Sequence, residues 1–375
     1  MKITGITTRI VRQSSNLWFA PDPIPAGYCP FFDFPMTILH TDEGIEGYTM
    51  DYCPLGQGRG SAYAVHDIYY HDLVGKDPMD HESIWQQLRS KQRHLYNFRE
   101  TIWSNLDVAL WDIKGKRLHL PISKILGQVR DKVPCYSTFP PQTIKTIEEL
   151  AEQVSEKLKI GFRGIKLQLS GGAALDIPRL QKAREVAGSN FPLMIDSSAA
   201  LTFEDALKIG YELDNLHYEW FEEPFPDVNI IQLKKLSQAI KTPVLAAETV
   251  GLFELPLYMA DGAVDIIRGD VHHKGGVTGA MKAIAMCEMM GYEFEIHTAS
   301  APLLDIANLH VACATRLSRF CESHHAMFRF GLKGNALEID KDGFQQCPSK
   351  PGLGVEIDWD WIDDHTEEVI KDKTW

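Results

Sequence analysis

From Val133 onward, short apolar runs alternate with helical stretches, and that alternation restricts the fold more than any other feature of the chain. The candidate strands are VPCYSTF (133–139), GIKLQL (164–169), PLMID (192–196), HYEWFEE (217–223), PVLAAE (243–248), VDIIRGD (264–270), YEFEIH (292–297) and RFCE (319–322). Seven segments of helical periodicity separate them. Eight strands joined by helical crossovers make a parallel sheet, and eight parallel strands close into a barrel. The segment before Val133 follows a different pattern. KITGITTRIV reads as a strand, PMTILH and IEGYTM flank a TDEG turn, and helices are expected over 62–73 and 80–117. The expected organisation is an α+β domain over 1–120, a barrel over 130–335, and a tail over 336–375 that packs back on the first domain. At 375 residues and 44% apolar content the chain is long enough for both cores.

In such a barrel the chemistry sits at the C-terminal ends of the strands. Asp196, Glu222 and Glu248 end three successive strands at intervals of 26 residues, one strand-helix unit each. Asp270, His297 and Glu322 end the next three, and Lys166 lies on the second strand facing the same rim. A single carboxylate at a strand end is usually a helix cap or a surface ion pair. Three on adjacent strands repel one another unless a cation sits between them. An all-oxygen donor set favours a hard divalent ion, Mg²⁺ first and Mn²⁺ next. Asp270 and His297, on neighbouring strands, form an expected pair in which the carboxylate orients the imidazole and raises its basicity. His272 and His273 are read as structural or supporting, whereas His324 and His325 are placed where they touch substrate only if the following loop turns inward.

The remaining composition excludes several classes. Net charge is −13 with no basic run, so nucleic acid and anionic membranes are not expected partners. No run approaches the roughly 20 apolar residues of a membrane span, and the N-terminus lacks the apolar core of a signal peptide. Seven cysteines, without a Cys-x-x-Cys pair, are expected to be thiols in a reducing cytoplasm. Closed homo-oligomeric symmetry is a general expectation only.

The stretches SNLDVALWDIKGK, GIKLQL, MIDSS, FEEP, AAE, GDVHHKGGVTG and EIHTA together resemble the mandelate racemase subgroup of the enolase superfamily, over nearly the whole chain. The resemblance implies a (β/α)7β modified TIM barrel with an α+β capping domain. It implies Mg²⁺ on Asp196, Glu222 (rather than Glu223) and Glu248, and a His297–Asp270 base. It also implies that Glu322 hydrogen-bonds a developing enediolate and that loops 14–34 and 51–60 act as lids.

Two positions depart from the family pattern. Many members carry Lys-x-Lys on the second strand, where this chain has Lys166-Leu167-Gln168, and Ser198 stands where an asparagine is common. An amide cannot take a proton from carbon, so Gln168 is expected to bind a substrate hydroxyl and Lys166 to serve as a charge. The expected activity is Mg²⁺-dependent dehydration of a sugar acid, an aldonate or aldarate. The alternatives are a cycloisomerase of a sugar-acid lactone or anhydro-sugar acid, a racemase or epimerase, and, least favoured, a non-catalytic metal-binding relative. Arg59 is read as a solvated loop residue, with contact to a distal substrate carboxylate as the alternative.

Overall fold

The structure, a computed structural model, describes residues 1–16, 27–95, 99–139, 146–323 and 329–372. Its first part is an antiparallel sheet of β1 (Ile3–Ser14), β2 (Phe31–Thr41) and β3 (Gly47–Met50), followed by α1 (Gly58–Ala64), α2 (His81–Ser90) and α3 (Thr101–Leu118). The helical stretches expected over 62–73 and 80–117 are each divided. The first passes through a wider turn at Val65–Tyr69, and the second stops after His94 and restarts at Thr101. Periodicity alone carries no signal for such interruptions, because the apolar spacing continues across them.

The barrel strands are β4 (Lys132–Phe139), β5 (Gly164–Gln168), β6 (Leu193–Asp196), β7 (Phe221–Glu222), β8 (Val244–Ala246), β9 (Ile266–Gly269), β10 (Glu293–Ile296) and β11 (Cys321–Ser323). They pair in parallel from β10 back through β4, and β4 pairs with β11. Between β10 and β11 the bridge is made by a side chain, Ser318 Oγ accepting from Ile296 N at 3.2 Å. The seven connections are α4 (Ile147–Ile160), α5 (Ala173–Ala187), α6 (Phe203–Leu216), α7 (Ile230–Ser237), α8 (Leu255–Asp261), α9 (Gly276–Met290) and α10 (Pro302–Ala314). This is the (β/α)7β barrel with an α+β cap. α4 starts on a capping box, Thr146 with Glu149, which satisfies two otherwise orphaned donors. α5 begins four residues before the expected Ile177. Pro178 lies so close to its start that its missing N–H forfeits little.

After the barrel come β12 (Leu332–Lys333), β13 (Phe344–Gln346), β14 (Glu356–Ile357) and β15 (Thr366–Lys371). β15 pairs with β1 and completes the cap sheet, whereas β13 pairs with the start of β4. Cap and barrel are also joined through two of the sequence stretches. The buried Asp107 on α3 accepts from Thr278 N at 2.9 Å and Thr278 Oγ1 at 2.7 Å, and Trp111 Nε1 donates to the same hydroxyl at 2.8 Å. A Cβ on Gly276 would come within 2.3 Å of Asp107 Oδ2, so the glycine permits this approach. The SNLDVALW and GGVTG stretches therefore hold the two parts together rather than supply reacting groups.

Inside the barrel, alternate residues point inward and stack in layers. Tyr136, Met194, Trp220, Leu245 and Ile266 form a closed apolar floor, with Phe320 against it. Continuing by two along the strands leads to Thr138, Lys166, Asp196, Glu222, Arg268 and Glu322, a charged layer sealed below by aromatic rings.

Candidate active site

Lys166 is 1% exposed, and its Nζ lies 3.0 Å from Glu222 Oε1, 3.1 Å from Glu322 Oε1 and 3.4 Å from Asp196 Oδ2. Burial opposes its charge, but Glu222 and Glu322 outweigh burial and hold the ammonium well above the usual lysine range. It is a fixed cation. Gln168, two residues on, donates to Asp196 Oδ2 at 3.2 Å. Its buried Oε1 has no hydrogen-bond partner among the described residues. A carboxylate only accepts, so the amide orientation follows, and an acceptor is left facing the barrel mouth.

Asp196 and Glu222 are direct partners across β6 and β7, and Glu248 follows β8 on the next turn. Asp196 Oδ1 accepts from Ser198 N at 2.8 Å, so the serine at the departing position folds back on the acid. Glu222 is held by Lys166, by Arg268 Nε at 3.0 Å, and by Trp220 Nε1 at 3.1 Å. Glu248 Oε2 lies 3.4 Å from His297 Nε2. Glu223, at φ 41°, leaves the strand direction. Burial raises its carboxyl to about 10, with Glu248, Asp227, Asp196 and Glu222 all adding to the effect. This crowding of carboxylates suits a divalent cation with oxygen ligands. Among the described residues, however, the donor atoms that come within 4.8 Å of one another belong to Glu248, His273 and His297, not to the three acids. Asp196 and Glu222 are drawn instead onto Lys166, Gln168 and Arg268.

On the opposite side Asp270, buried at the end of β9, accepts from His297 Nδ1 at 2.9 Å. Burial disfavours a charged His297, but Glu248 and Asp270 prevail and lift it to about 9. Asp270 itself is held well below the usual carboxylate range, because His273 and His297 outweigh burial. Glu322, on β11, accepts from Thr138 Oγ1 and from Arg268 Nη2, the latter at 2.6 Å.

The sequence reading passed over Arg268. It is fully buried, ion-paired with Glu222 and Glu322, and donates to Tyr136 Oη at 2.8 Å and Ile296 O at 3.1 Å. Its signal was its parity with Asp270, which places a charged side chain on the inner face of a strand. The structural role expected for His272 fits its contact: Nε2 lies 2.8 Å from Asp51 Oδ1 and ties the 51–60 loop to the barrel. His273 joins the site through Asp270. Arg59 pairs on the surface with Glu368 at 2.8 Å and does not enter the mouth. His324, His325 and residues 17–26 of the expected lid lie outside the described residues.

Residues 149–361 match the family model for the enolase C-terminal domain-like fold, and residues 33–127 match that for the mandelate racemase / muconate lactonizing enzyme N-terminal domain. The chain belongs to the enolase superfamily, in its mandelate racemase branch. Arabinonate dehydratase of Saccharolobus solfataricus is 35% identical over 341 residues, 87% of this chain and 89% of that protein. D-galactarolactone cycloisomerase of Agrobacterium fabrum is 28% identical, over 96% of this chain and 97% of that one. The structure of D-glucarate dehydratase from Agrobacterium tumefaciens, complexed with magnesium, superimposes with a TM-score of 0.87 at 28% identity, over 98% of this chain and 100% of that chain. Among the described residues no helix is long and apolar enough to cross a membrane.

Proposed function

We propose that this superfamily member is a Mg²⁺-dependent dehydratase of a sugar acid, an aldonate or aldarate. The observation that carries this reading is the pair on β5: Lys166 locked as a cation between two glutamates, and Gln168 as an amide with an open acceptor. That pair leaves His297 as the base. The dehydratase relatives, and the magnesium in the D-glucarate dehydratase structure, support the same class.

Asp196, Glu222 and Glu248 would hold the cation, through rotation of the acids away from their present protein partners. When bound, the ion supplies Lewis-acid polarisation of the substrate carboxylate, worth several kcal/mol in such sites. Lys166 neutralises charge on the same carboxylate as it becomes an enediolate. Nε2 of His297 removes the C2 proton, and Asp270 holds Nδ1–H so that Nε2 carries the lone pair. The C2–H electron pair enters the enediolate. Its collapse expels the C3 hydroxyl, which leaves as water with the proton from the His297 imidazolium. The resulting enol tautomerises to a 2-keto-3-deoxy acid. Glu322 hydrogen-bonds the enediolate, and Gln168 Oε1 accepts from a substrate hydroxyl.

The test is turnover of a sugar-acid library in D₂O, with 2-keto acid detected by semicarbazide. The expected result is a keto product carrying deuterium at C3, with no C2 epimer in recovered substrate. Conserved substrate mass would place the chain with cycloisomerases instead. C2 epimer formed as fast as product would reveal a second base.

A further inference from the structure

Asp270 serves two histidines at once. Besides His297, it lies 3.2 Å from His273 Nδ1 through each of its oxygens, and its Oδ1 accepts from His273 N at 2.7 Å. Carboxylate-held imidazoles of this kind recur around transition metals, because the carboxylate fixes the ring and makes the remaining nitrogen a better donor. We infer that Glu248, His273 and His297 form a binding site for a nitrogen-preferring first-row transition ion such as Zn²⁺, separate in character from the all-oxygen acid set.

Four observations support it. Each of the three residues brings one donor atom within 4.8 Å of the others. Donors about 2.0–2.2 Å from a zinc ion stand at most roughly 4 Å apart, so side-chain rotations of about 1 Å close the site. The turn that carries Glu248 is rigid: buried Lys274 donates to the carbonyls of Ala247, Glu248 and Val250 at 2.8, 2.7 and 2.5 Å. Glu248 and Asp270 supply two negative charges around neutral imidazoles, matching a dication. Finally, the three ligand side chains are 17–19% exposed, so an ion reaches them from the mouth. Imidazole ligands favour Zn²⁺, Co²⁺ or Ni²⁺ over Mg²⁺, which prefers oxygen.

An ion here occupies the lone pair of His297. Inhibition of proton abstraction follows, and that consequence, unlike the binding, rests on the role proposed for His297. Full-length protein in excess Mg²⁺ is titrated with Co²⁺, the visible d–d absorption is followed, and Zn²⁺ is then added as competitor. The expected result is one Co²⁺ per chain with an intense band from a low-coordinate site, bleached by Zn²⁺. His273→Gln and Asp270→Asn each weaken the affinity by about 10-fold or more, and His297→Asn does the same. Asp196→Asn leaves the band in place. Absence of the band overturns the inference. So does a band that Asp196→Asn removes but His273→Gln and His297→Asn, each folded by circular dichroism, do not change, since the ion then sits among the acids. If the Mg²⁺ reading fails instead, chelated protein keeps its turnover while the Co²⁺ band is still seen.

Discussion

Replacing Arg268 by methionine tests whether the charged layer of the barrel is a balanced unit. Arg268 and Lys166 are the cations facing Glu222 and Glu322, and all four are buried. In Arg268→Met, Lys166 remains 3.0 and 3.1 Å from the two glutamates but is a single charge for both. Removing one partner of a buried ion pair costs roughly 3–5 kcal/mol, since the other charge stays desolvated. Tyr136 Oη and Ile296 O also lose a donor. The uncompensated glutamate then has a folded-state pKa above its unfolded value. Its penalty is fully present at neutral pH and shrinks as pH falls toward the unfolded value of about 4.3. Urea unfolding, followed by both circular dichroism and tryptophan fluorescence at pH 7 and pH 5, should show the larger loss at pH 7. Adding Glu322→Gln should recover part of that loss, as a positive coupling in a double-mutant cycle. A loss below about 1 kcal/mol at pH 7, or a loss independent of pH with no coupling, refutes the argument that Arg268 is held there for charge balance.

Chelation should abolish turnover and Mg²⁺ restore it, and Glu222→Gln should lower Mg²⁺ affinity by calorimetry; full activity of dialysed protein in excess EDTA would remove the metal from the mechanism. Lys166→Ala should reduce both substrate binding and kcat, whereas His297→Asn should leave binding largely intact and lower the rate by about 10²-fold or more; near-native kcat in Lys166→Ala would make the lysine structural. In cation-free protein the His297 ring should titrate near 9 by NMR, assigned by loss of the signal in His297→Asn. A raised histidine is charged below that value, so kcat/KM should rise with pH on an acid limb. A cation on Glu248 weakens the attraction that lifts the imidazole, so that limb should lie below 9; a cation-free titration near the ordinary 6.5 would contradict it.

The alternation of eight strands and seven helices was legible in the chain because each strand spans only a few apolar residues between helices of clear period, and strand parity put Lys166, Asp196, Glu222 and Asp270 on the inner face. The acids and the His297–Asp270 pairing were legible for the same reason: in a parallel barrel, successive strand ends share one rim. What parity does not contain is the partner across the barrel. Lys166 on β5 meets Glu322 on β11, and Arg268 on β9 meets both Glu322 and Glu222, contacts that depend on closure, stagger and side-chain reach. His273 lies on a turn rather than a strand, so no periodicity marks it, and only the folding of that turn over Asp270 brings it beside His297. The breaks in the cap helices, and the division of the tail between β13 on the barrel and β15 on the cap, were likewise decided by packing. The sequence by itself determined which groups face the mouth; only the tertiary structure decided which charges neutralise one another there, because Coulomb attraction and desolvation depend on distances between strands that are far apart along the chain.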